Sequence, residues 1–236
     1  MVKGKQPVSS DVKPGSGVDA FLRRLAAAPT ARPAGTRGRL LFALDATASR
    51  ETTWDRACQI HGEMFSETET LGGLEVQMAF YRGFGEFSVS KWVSQPEDLI
   101  HDMTAVMCLG GSTQIEKVLR HALAESREGR VNAVVFVGDC MEEDADLLCH
   151  LAGELGMRGV PVFVFQEGKE PLALTTFKQI ARLSRGAWCS FDSSSAQQLR
   201  DLLSAVAVYA AGGRRALVDY GKTHHGDVLR IAQQLE

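Results

Sequence analysis

The chain has 236 residues, 44% of them apolar and 23% charged, the balance of an ordinary globular protein. A net charge of -3 supplies no basic field to draw in nucleic acid or an anionic membrane, so neither is expected as a partner. The five cysteines (Cys58, Cys108, Cys140, Cys149 and Cys189) form no CxxC pair and no disulfide framework, which points to a reducing, cytoplasmic setting.

Residues 1–18 are polar and rich in Gly, Pro, Ser and Lys, with too little apolar surface to offset the entropy of ordering. Residues 19–28 read as a short amphipathic helix with Phe21, Leu22 and Leu25 on one side, and residues 29–38 as a linker. The N-terminal lysines precede no apolar stretch, so no secretory leader is expected. The longest apolar run, residues 205–211, falls far short of the roughly 20 residues that cross a membrane.

From Arg39 onward, apolar runs alternate with helical periods. Residues 39–44 (RLLFAL) suit a strand buried on both faces. Trp54, Ala57, Cys58, His61, Met64 and Phe65 then recur at helical spacing. Residues 74–81 and 86–93 read as strands around Gly83 and Gly85, a hairpin signal. Pro96 opens a helix reaching about Met107. The next helix starts near Ser112, with Ile115, Val118, Leu119, Ala122 and Leu123 on one face. Residues 131–138 (VNAVVFVG) form another apolar strand. Helix 144–157, strand 161–166, helix 172–184, strand 187–191 and helix 195–211 complete the alternation, and a last helix is expected over 227–235.

Such alternation predicts an α/β fold, doubly wound, with a mostly parallel six-stranded sheet, one antiparallel edge strand and helices on both faces. The expected division is a flexible segment 1–37, a domain over 38–212 and a tail 213–236.

In open α/β sheets ligands bind beyond the carboxyl ends of the strands, where the strand order switches. Three loops in such places stand out. Asp45-Ala46-Thr47-Ala48-Ser49 follows the first strand, Gly110-Gly111-Ser112-Thr113 precedes a helix, and Gly138-Asp139-Cys140 follows the fourth strand. Together they offer carboxylates and hydroxyls, the donors that Mg²⁺, Ca²⁺ and Mn²⁺ prefer. Helix capping by Thr47, Ser49 and Asp139 would explain each loop separately, though not their common chemistry.

In order and strand context, Asp45, Thr47, Ser49, the distant Thr113 and Asp139 resemble the metal-ion-dependent adhesion site of von Willebrand factor A domains, whose usual pattern is D-x-S-x-S, then a threonine, then an aspartate. The likeness covers residues 38–212. Thr47 stands where serine is usual, and Gly138-Asp139-Cys140 stands where many members have Thr-Asp-Gly. The resemblance implies the strand order 3-2-1-4-5-6 and hydroxyl contacts from Thr47, Ser49 and Thr113. It also implies that Asp45 and Asp139 act directly or through water, and that a partner's carboxylate completes the coordination of a divalent ion, Mg²⁺ first and Mn²⁺ or Ca²⁺ otherwise. The function it implies is protein–protein recognition without turnover. The setting would be a bacterial cytosol, and the partner an acidic one, tied to an ATPase or chaperone. Neutral hydroxyls leave such an ion electrophilic, and an Asp or Glu from a partner can displace one of its waters.

An alternative resemblance is to haloacid dehalogenase-like phosphatases, with Asp45 as nucleophile and Gly138-Asp139-(x)4-Asp144 as the Mg²⁺ loop. Thr47 occupies the place of their general acid, and Lys117 is the nearby lysine, within a helix. The glycine pair Gly110-Gly111 lacks a full phosphate-binding fingerprint and suits close approach of Thr113 instead. His61 is expected as a satisfied, partly buried imidazole on the apolar face of its helix, and His101, His121 and His150 as helical surface or boundary residues. Arg50, Glu51, Met141, Glu142 and Glu143 are expected around the site as a solvated rim.

Overall fold

The computed structural model describes residues 37–51, 54, 68, 73–191 and 196–224. The expected helices over 19–28 and 227–235 lie outside them, as do His61 and the hydroxyl loop's Arg50 side chain. Six strands form one sheet: β1 (Gly38–Asp45), β2 (Leu74–Arg82), β3 (Glu86–Val89), β4 (Ala133–Gly138), β5 (Val162–Glu167) and β6 (Trp188–Phe191). Their order is β3-β2-β1-β4-β5-β6. All neighbours are parallel except β2 and β3, the hairpin that ends the sheet on one side. The doubly wound α/β architecture is as expected.

The apolar run of β1 explains its central place. Leu40, Phe42 and Leu44 point into one core cluster while Leu41 and Ala43 point into the other, because successive side chains of a strand face opposite sides. Helix α1 (Pro96–Thr104), Trp54 and helix α5 (Ala196–His224) cover the first face. Helices α2 (Ile115–Glu128), α3 (Ala145–Met157) and α4 (Pro171–Leu183) cover the second. Phe136 stacks on Tyr81 and meets Phe177 edge-on inside that second layer.

Three differences from the sequence expectation have local causes. Strand β3 stops at Val89, because the Ser90 hydroxyl accepts the Met78 amide at 3.0 Å, and regular pairing gives way to a single bridge between Val76 and Val93. Helix α1 ends at Thr104, whose hydroxyl donates back to the Ile100 carbonyl at 2.9 Å. Helix α5 runs past Ala211 to His224, broken at Gly213 (φ 72°, ψ -168°), a left-handed conformation that glycine adopts without strain. Beyond the break Leu217 is buried in the first core cluster.

The order of the strands reverses between β1 and β4. Their carboxyl ends, Asp45 and Gly138, therefore open on the crevice where loops from both sides meet.

Candidate metal site

Parallel pairing of β1 with β4 sets the ends of the two strands side by side, and with them two carboxylates. An oxygen of Asp45, an oxygen of Asp139 and the sulfur of Cys140 all lie within 4.8 Å of one another.

Asp45 is buried, at 2% exposure. Its Oδ1 accepts the Thr47 amide at 2.8 Å, which turns the chain as it leaves the strand. The Thr47 and Ser49 hydroxyls then stand 3.3 Å apart, and Ser49 Oγ donates to Asp139 Oδ2 at 2.8 Å. Since the single Ser49 proton goes to the carboxylate, Thr47 is the donor in the longer contact. Asp139 Oδ1 is buried and takes no N–H or O–H donor among the described residues. The structure thus joins Asp45, Thr47, Ser49 and Asp139 in one continuous polar chain.

Thr113 arrives by a different route. It is buried at 5% exposure; its Oγ1 accepts the Glu142 amide at 3.0 Å, and its own amide donates to Glu142 Oε2 at 3.4 Å. Next to it, both oxygens of Glu143 receive the Ile115 and Glu116 amides at 2.7 Å each. Glu143 thereby supplies the cap that the side chain of Gln114 does not make, and a negative charge suits the positive end of the α2 dipole. On the other side, Ser112 N donates to the Gly83 carbonyl, and a β-carbon on Gly111 would stand only 2.0 Å from that same oxygen. Gly111 is therefore obligatory for the close approach of this loop to the hairpin. The described contacts tie Thr113 to Glu142, in the loop of Asp139, rather than to Asp139 itself.

Glu142 and Glu143, expected as a solvated rim, are thus braces between two loops, and Met141 is buried in the second core cluster. Tyr81 was not legible as a site residue. The β1–β2 register sets it opposite Asp45, where burial, then the negative charges of Asp45 and Glu143, hold its phenol well above the ordinary range. It stays protonated beside the carboxylate. The Cys140 thiol is pushed up to about 12 by burial first, then by the charge and hydrogen bond of Asp139, with Asp45 and Glu142 adding to it.

Two unit negative charges about 5 Å apart repel by roughly 3 kcal/mol at an effective dielectric of 20. A divalent cation between them reverses the sign of that term. The oxygen donor set, the facing carboxylates and the undonated Asp139 Oδ1 fit such an ion. Lys117, which a phosphatase would need at the site, instead donates to the Gly85 carbonyl and to Gln114 Oε1 at 2.8 Å each.

No protein-family model and no curated protein matches the sequence. Solved structures do match. Proximal thread matrix protein 1 from the mussel byssus is 18% identical, with a TM-score of 0.58 over 75% of this chain and 49% of that one. The SpRpn10 VWA domain is 14% identical, with a TM-score of 0.53 over 71% of this chain and 94% of that one. The fold is that of von Willebrand factor A domains. A von Willebrand factor type A protein from Catenulispora acidiphila agrees, at 14% identity and a TM-score of 0.56 over 73% of this chain and 43% of that one. This chain spans about half the length of the mussel protein, which has also been solved with a zinc-occupied metal-ion-dependent adhesion motif.

Proposed function

We propose that the chain is a protein-interaction module built around a divalent cation held by Asp45, Thr47, Ser49, Thr113 and Asp139. The observation that carries this is the meeting of two carboxylates from separate strand ends within 4.8 Å, with the Ser49 hydroxyl donating to Asp139 and Thr47 linking Ser49 back to Asp45. The bound ion would supply a Lewis-acidic centre, with Mg²⁺ as the choice of hydroxyls and carboxylates alone and Mn²⁺ or Ca²⁺ as alternatives. Asp45 and Asp139 would neutralise it, the hydroxyls would orient around it, and a carboxylate of the partner would complete its shell.

The surroundings suit a partner rather than a small substrate. Phe84 is 92% exposed, Met107 71% and Leu109 44%. Their loops are hydrogen-bonded to those of the site: Leu109 N to the Ala46 carbonyl, Ser112 N to the Gly83 carbonyl and Arg82 Nη1 to the Met107 carbonyl. Exposed apolar side chains gathered at one end of a fold mark protein contacts. The thiols Cys140, Cys149 and Cys189, which form no disulfide among the described residues, suit a reducing compartment, and a role as adaptor or assembly factor in a bacterial cytoplasm, serving an ATPase or chaperone-linked complex, fits both features. No helix among the described residues is long and apolar enough to cross a membrane.

The test is capture of partners from lysate on immobilised chain, with Mg²⁺ or Zn²⁺ against EDTA, alongside Thr113→Ala. Cation-dependent recovery that Thr113→Ala reduces at least tenfold is the expected result. Equal recovery in every condition sinks the proposal.

A further inference from the structure

Among the described residues, Cys140 brings to the two carboxylates an atom that does not belong to a hard-cation site. Its sulfur lies within 4.8 Å of an oxygen of each. It directly follows Asp139, so any ion placed against that carboxylate is within reach of the thiol. Apart from its hydrogen bond with Asp139, no described contact occupies it, and it is a free, partly buried cysteine outside any disulfide.

Resting on the cation-binding function just proposed, we infer that Cys140 Sγ is a third protein ligand, and that the site therefore selects zinc-class ions over Mg²⁺ and Ca²⁺. Thiolates bind Zn²⁺ at about 2.3 Å and carboxylates at about 2.0–2.2 Å, whereas Mg²⁺ and Ca²⁺ take oxygen. Around a tetrahedral ion those bond lengths place two oxygens about 3.4 Å apart and sulfur about 3.6 Å from each oxygen. The three atoms already lie within 4.8 Å of one another, at most about 1.4 Å wider than that spacing.

The step balances without any redox partner. A Zn–S bond forms, the S–H bond breaks, and the proton leaves to solvent. Asp45, Asp139 and Cys140 supply three ligands, and the fourth position remains for water or a partner's donor, the open arrangement that sites with exchangeable ligands keep. With Mg²⁺ the thiol keeps its proton and stands aside. The two classes of ion would thus share the carboxylates, with the hydroxyls completing the set for Mg²⁺ and the sulfur for Zn²⁺. A change at Cys140 should then weaken one class and spare the other.

The experiment titrates reduced, EDTA-stripped full-length chain with Co²⁺ as a coloured stand-in for zinc, then with Zn²⁺ and Mg²⁺. The expected result is a thiolate-to-cobalt charge-transfer band in the near ultraviolet, abolished by stoichiometric Zn²⁺ and untouched by excess Mg²⁺. Cys140→Ser and Cys140→Ala should lose the band and at least tenfold in zinc affinity, with Mg²⁺ affinity unchanged within about twofold, which also shows that the variants are folded. Cys149→Ser should keep the band. A band and zinc affinity that survive both Cys140 substitutions overturn the sulfur ligand. The underlying cation site then still stands if Asp45→Asn abolishes Mg²⁺ binding. If the wild-type chain binds none of the three ions, the ligand assignment and the proposed function fall together.

Discussion

Two polar clusters border β2, and they are built on opposite principles. Around Gln77 every group has its complement. Gln77 Nε2 donates to the Ser90 carbonyl at 3.2 Å, and its Oε1 accepts from His121 Nε2 at 2.8 Å. Trp92 Nε1 donates to Glu125 Oε2 at 2.8 Å, while the Ser90 hydroxyl takes the Met78 amide and gives its proton to the Lys91 carbonyl. Donors and acceptors balance, as buried polar groups of a scaffold must. At the carboxyl end of the sheet, acceptors outnumber donors. Two carboxylates face each other, one of the Asp139 oxygens is buried with no N–H or O–H among the described residues, and a thiol stands beside them. The first cluster is complete as the chain folds. The second lacks positive charge, and the proposed cation site rests on that deficit.

This contrast can be broken by substitutions on either side. The largest effect is expected at Asp139. Asp139→Asn keeps an oxygen for the Ser49 hydroxyl but removes one of the two facing charges, so divalent-cation affinity should fall at least a hundredfold, close to 2.7 kcal/mol. Without metal the same variant should melt at a higher temperature than wild type, because a like-charge repulsion is gone. Thermal unfolding with EDTA and with added cation reads both signs. A variant that loses stability in EDTA would show that the carboxylate is structural after all. Gln77→Ala should behave in the reverse way. It strands the His121 N–H and the Ser90 carbonyl, a loss of about 2 kcal/mol in urea unfolding, yet the response to cation should stay that of wild type.

The same contrast explains what could be read in the sequence. Apolar runs such as residues 39–44 and 131–138 carry their own strand signal, and Pro96 marks the start of α1, so the alternation and the two-faced burial followed directly. The D-x-T-x-S loop and Asp139 were visible because carboxylates and hydroxyls at strand ends have few other reasons to gather. What escaped depends on register and on contacts between distant segments. Tyr81 reaches Asp45 only because β1 and β2 pair residue for residue from Gly38↔Leu74 onward. Glu143 caps α2 from 28 residues away in the chain, and no local pattern around Ile115 announces it. His121 sits on a helix face that periodicity assigns to the boundary, and its partner Gln77 lies on a strand 44 residues earlier. Leu217 joins the core only after the break at Gly213 redirects the last helix, where composition suggested a tail.

The smallest expected effect sharpens the balanced cluster through its one group that titrates near neutrality. His121 packs edge-on against Phe87 and stands 3.9 Å from Glu125 Oε1. Burial lowers its pKa below the usual 6.5, and Glu125 offsets that only in part. The unfolded chain therefore takes up a proton at higher pH than the folded one. The stability that goes with a neutral His121 is intact above 6.5 and declines as pH falls through the interval down to the folded value. Urea midpoints should accordingly drop between pH 7.5 and pH 5. His121→Gln, which can still donate to Gln77 Oε1 without ever becoming charged, should flatten that part of the curve and leave the midpoint at pH 7.5 nearly unchanged. An identical slope in wild type and variant would assign the acid sensitivity to other groups. The Gln77 network would then tolerate a protonated His121, with the nearby Glu125 carboxylate offsetting the cost of burying that charge.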